Sequence, residues 1–66
     1  MTQKVWRLTL DENGVENVID YTSPIDALDA VSAAKRRAAV FFGRLEYLIY
    51  DGRDAVSVKT IETWEQ

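Results

Sequence analysis

Four residues in the first half of this 66-residue chain constrain its fold most: Ser23, Pro24, Ile25 and Asp26. Serine at an N-cap accepts a hydrogen bond from an otherwise orphaned N–H, proline at the first helical position lacks the N–H that would be orphaned, and an acid suits the positive end of a helix. A helix therefore starts here, with room on either side for one pair of strands. Ala27, Leu28, Val31, Ala34, Ala38 and Phe41 or Phe42 recur at three- and four-residue steps and predict one apolar stripe. Gly43 is placed as the residue that stops the helix, and alanines at 27, 30, 34, 38 and 39 favour helix and a close approach to a sheet.

On the N-terminal side, Lys4 to Leu10 alternates, with Trp6, Leu8 and Leu10 on one face and Val5, Arg7 and Thr9 on the other. The turn residues Asp11, Glu12, Asn13 and Gly14 follow, and Asn-Gly tolerates the positive φ angles of a tight hairpin. Val15 to Tyr21 returns as the second strand. On the C-terminal side, Leu45 to Asp51 predicts a third strand, Asp51 to Asp54 a turn, and Ala55 to Trp64 a fourth strand. There Val56, Val58 and Trp64 share a phase that Ile61 breaks, so either a bulge near Lys59 or Thr60 or a strand apolar on both faces is expected. The order is ββαββ. The expected fold is a single α+β domain over residues 1–66, one largely antiparallel four-stranded sheet with its helix on one face.

The chain has no cysteine and no histidine. Disulfides are impossible, the usual soft zinc ligands are missing, and the commonest general base is absent. Asp26 and Asp29 form one carboxylate pair and Asp51 and Asp54 another, but the first suits a helix N-terminus and the second flanks a turn. Neither matches a calcium loop, and the glycines at 14, 43 and 52 build no phosphate-binding loop. A non-enzymatic protein without cofactor, metal or small-molecule substrate is the expectation. Nothing in the sequence resembles a membrane span or a signal peptide, so a cytoplasmic location is expected.

Eleven acids against eight bases give a net charge of -3, which disfavours nucleic-acid binding. The charge is nevertheless segregated, because residues 35–45 hold four bases, Lys35, Arg36, Arg37 and Arg44, and no acid. They are the candidates for electrostatic contact with a partner, although three consecutive helical residues splay around the helix and cations near a helix C-terminus are ordinary. If the helix covers the face bearing Trp6, Leu8, Ile19, Tyr47 and Ile49, the opposite face carries Val5, Val18, Leu48, Tyr50 and Ile61. Side by side on a sheet with no second layer, those five are the candidate partner-binding residues.

The junction Tyr21, Thr22, Ser23, Pro24, Ile25, Asp26, Ala27, Leu28, Asp29, Ala30 resembles that of small phage-encoded inhibitors of the anti-CRISPR and host-takeover kind, in which a strand ends in a Ser or Thr cap and enters an alanine-spaced helix on a small antiparallel sheet. The resemblance implies a protein that binds and occludes a larger host or defence protein. Two other readings stand beside it: a homo-oligomeric accessory module that dimerises through the open sheet face, and a weak nucleic-acid binder using Lys35, Arg36, Arg37 and Arg44.

Overall fold

The computed structural model describes residues 2–65. It shows the expected α+β order: β1 (Thr2–Glu12), β2 (Val15–Tyr21), α1 (Pro24–Lys35), β3 (Val40–Asp51) and β4 (Asp54–Glu65). The strands form one sheet in the order β2-β1-β3-β4, antiparallel at every pairing. In the β1–β2 turn both Asn13 (φ 53°) and Gly14 (φ 82°) adopt positive φ, as a two-residue hairpin of this kind requires. The Asp11 carboxylate accepts from the Gly14 N–H at 3.0 Å, and the Asn13 N–H donates to the Ala39 carbonyl, tying this turn to the chain that leaves the helix.

Ser23 caps α1 as expected, its Oγ accepting from the Asp26 N–H. The helix ends earlier than its alanine content suggests. It stops at Lys35, Arg36 is its C-cap, and residues 37–39 turn directly into β3. Ala38 and Phe41 thus lie outside the helix, and Gly43 stops nothing: it is a strand residue paired with Leu10 and Trp64. The far half of β1 decides this, since Leu10, Asp11 and Glu12 need ladder partners and find them in Gly43, Phe42 and Val40. Valine and phenylalanine at 40–42 favour a strand, and Val40 is fully buried there.

The core lies between the helix and the sheet. Ala27, Val31 and Ala34 descend onto Leu8, Leu10, Val40 and Leu45, with Trp6, Tyr21, Ala30 and Trp64 around the rim. The stripe is narrower than the sequence periodicity implies. Leu28 and Ile25 point to solvent, at 54% and 69% exposure, and the buried helical contacts are mostly alanines that let the helix sit close.

β4 resolves its mixed phases with two irregularities. Leu45 pairs with Glu62 and Glu46 with Thr60, so Ile61 is an extra residue; Ile49 pairs with Ser57 and Tyr50 with Ala55, so Val56 is another. The bulge expected near Lys59 or Thr60 therefore sits at Ile61, joined by a second at Val56. A classic bulge turns its two residues toward the same side of the sheet. Trp64, Glu62, Lys59 and Ser57 accordingly share the helix side, and Val58 and Thr60 the opposite side.

Candidate functional site

The register places Val5, Val18, Leu48 and Tyr50 on the face away from the helix. That face is not an apolar surface. Val5 and Leu48 are register partners and both are buried, at 7% and 4% exposure, without a second layer above them. Their cover comes from their neighbours. Arg7 lies one face position along β1 from Val5 and Tyr50 one along β3 from Leu48, on opposite sides of the pair, and the Arg7 Nη2–Tyr50 Oη hydrogen bond (3.1 Å) crosses above it.

The rest of this face is a polar ladder. Arg7 forms a bidentate pair with the cross-strand Asp20 (Nε to Oδ1 2.8 Å, Nη2 to Oδ2 3.1 Å), and Arg44 Nε donates to Glu46 Oε1 at 3.2 Å. The hydrogen bonds from Arg7, more than its charge, hold the Asp20 carboxyl below the usual carboxylate range. The same contact raises the already high Arg7 pKa against a smaller opposing cost of desolvation. Val18 and Val58 are exposed singly on either flank. Ile61 is absent from this face altogether, because its bulge delivers it to the helix side beside Trp6 and Tyr47.

The basic segment is also less available than its sequence suggests. Lys35 pairs with Glu62 and lies over the Trp64 ring, 5.3 Å from its centroid. Arg37 pairs with Glu12, Arg44 with Glu46 on the opposite sheet face, and Arg36 Nε donates back to the Ser32 carbonyl of its own helix. These four side chains do not converge. Among the described residues no group of three or more acids assembles that would hold a metal ion, and no helix is long and apolar enough to cross a membrane.

An open, largely apolar groove lies instead beside the helix. A helix of 12 residues is about 18 Å long, whereas strands of 11 and 12 residues run about 37–40 Å. Entering from Tyr21, which pairs with Trp6, and leaving toward Val40, α1 covers only the half of the sheet that bears Leu8, Leu10, Leu45 and Val40. Its backbone approaches β1, β2 and β3 but not β4. Trp6, Tyr47 and Ile49 are left half-buried at the margin of, or beyond, the helix layer, and Ile61 is 48% exposed. The Trp6 and Tyr47 rings are stacked at a tilt of 38° with centroids 5.1 Å apart. Together with Lys59, Thr60 and Ile61 they line an open groove of about 440 Å³.

No protein-family model, curated protein or solved structure matches the chain.

The groove escaped the sequence reading for two reasons. Alternation puts Trp6, Tyr47 and Ile49 on the correct face, but the apolar stripe running to Phe41 or Phe42 predicts a helix long enough to shield them. Simple alternation puts Ile61 on the far face, and the bulge reverses it. The one signal that pointed here was the clash of phases between Ile61 and Val58.

Proposed function

We propose that this chain is a non-enzymatic protein-binding module that occludes part of a larger partner, and that it makes contact through the groove at Trp6, Tyr47 and Ile61. The observation that carries this reading is the half-covered helix side. A tryptophan and a tyrosine stack at the edge of the core, with two isoleucines beside them and no covering element. Tryptophan and tyrosine dominate binding energy at protein interfaces because they offer a large apolar body with a polar tip. A host or defence protein as the target rests on the resemblance of the Tyr21 to Ala30 junction to phage inhibitors.

The test is capture from a bacterial lysate by the tagged protein, compared with Tyr47→Ser, Ile61→Asp and, on the opposite face, Val18→Asp. A stoichiometric partner should be retained by the wild type and by Val18→Asp and lost from the other two, with circular dichroism confirming that all remain folded. Capture that is indifferent to Tyr47 and Ile61, or no stoichiometric partner at all, would sink the proposal.

A further inference from the structure

Resting on the protein-binding reading, we infer that the groove takes a short extended segment of its partner that alternates acidic with apolar or aromatic residues. The first ground is charge. Among the described residues Arg7, Lys35, Arg37 and Arg44 are each matched to a carboxylate; of the four bases without an ion pair, Arg36 is the helix C-cap and Arg53 lies near Val5 and Tyr50 on the opposite face, which leaves Lys4 and Lys59. Both fall on the uncovered half of the helix side: Lys59 is the register partner of Tyr47, and Lys4 that of Ile49. In a chain with net charge -3, the lysines without ion pairs thus flank the aromatic groove from two sides.

The second ground is shape. From the Tyr47 row to the Asp51 row the uncovered surface extends about 13 Å, the length of about four extended residues. Trp6 and Tyr47 form its floor, and the Ile61 bulge raises one wall beside them. Bulges are the usual device for re-aiming one side chain out of a regular strand, and they recur next to functional sites. An apolar or aromatic side chain above the rings and a carboxylate reaching each lysine would fill the groove without a change of backbone.

A nucleic acid fits less well. Its bases would stack on Trp6 and Tyr47, but its backbone would continue past Asp51 and Asp54, which close the far end of this surface, and along a body rich in carboxylates. A peptide of about four residues can place its acids at the Lys59 and Lys4 rows and end before the Asp51–Asp54 row.

The experiment is nuclear magnetic resonance titration of the ¹⁵N-labelled full chain with three probes: a degenerate pool of short peptides alternating Asp or Glu with Leu, Phe or Pro, the same pool with Lys or Arg in place of the acids, and oligothymidylate. The acidic pool should shift the Trp6 indole N–H and the Tyr47, Lys59 and Ile61 amides, leaving the Trp64 indole unmoved. Lys4→Glu with Lys59→Glu should weaken that binding by about tenfold, since exposed pairs contribute up to about fivefold each and reversal adds repulsion. No shift with the acidic pool, an equal response to the basic pool, or a preferential response to oligothymidylate would each overturn the inference. Lysate capture by the doubly reversed variant separates it from the broader reading. A partner kept by Lys4→Glu, Lys59→Glu but lost by Tyr47→Ser would leave a protein-binding groove and remove its preference for acid.

Discussion

Gly43 and Trp64 show how closely one residue can be bound to another in a protein this small. The indole lies against the Gly43 backbone with the Lys35 ammonium over its ring, and a Cβ at position 43 would collide with the indole carbons. A neighbouring aromatic that covers a strand glycine in this way restores packing the glycine cannot supply. Gly43→Ala should therefore cost about 1–3 kcal/mol through overcrowding and push the indole into water. Urea denaturation followed by tryptophan fluorescence would report both, as a lower midpoint and a red-shifted native spectrum. Asp20 makes a gentler contribution. Its pKa is lowered in the folded state, so its stabilisation is present above about pH 4 and is lost as the pH falls through the lowered value. Because both partners are partly exposed, the pair should contribute no more than about 1 kcal/mol. Asp20→Asn should be less stable than the wild type at neutral pH, with the difference shrinking progressively as the pH falls below about 4, as read by denaturation across that range.

Among the elements, the helix is the one whose beginning and end have different kinds of cause. Its start is local. Ser23 and Pro24 suffice, and Ser23→Ala should lower stability by about 1 kcal/mol in the same urea assay, since the Asp26 N–H loses its acceptor. Its end is tertiary. Residues 33–39 are alanine and basic residues with good helical propensity, and what stops the helix at Lys35 is the demand of Leu10, Asp11 and Glu12 for partners in β3. This asymmetry explains what was legible in the sequence. The first hairpin followed from Asn13-Gly14, the helix start from its cap, and the phases of β1 and β3 from strict alternation. The end of the helix and the facing of Ile61 were not legible, because each is set by ladder pairing with another strand and not by the residue's own neighbours. The same holds for the site. Alternation placed Val5 and Leu48 on the correct face but could not reveal that Arg7 and Tyr50 close over them.

For the molecule as a whole, the mismatch between an element that rises about 1.5 Å per residue and one that rises about 3.3 Å sets the distribution of stability as well as the location of the groove. The body is elongated, 39 × 22 × 15 Å, and only its helix-covered half contains a two-layer core. Amide hydrogen exchange should show a gradient along each central strand. Leu8, Leu10 and Leu45 should be most protected, whereas amides of β3 near Ile49 should exchange faster although Ile49 is paired on both sides, and those of β1 near Lys4, which pairs with β3 alone, faster still. Uniform protection along β1 would contradict a core confined to one half. A ligand in the groove should slow exchange at the uncovered end selectively, because it would supply the missing layer there.

The bulges at Ile61 and Val56 also make the two borders of the sheet unequal. β2 is regular, while β4 is interrupted twice and carries Lys59 between the interruptions. An added strand needs an unbroken row of backbone donors and acceptors, so β4 is poorly suited to receive one and β2 is the better template. Head-to-tail stacking of β2 on β4 would propagate without limit, whereas pairing of β2 with another β2 uses up both available borders and stops at two chains. A sheet with one usable border can join once and cannot polymerise.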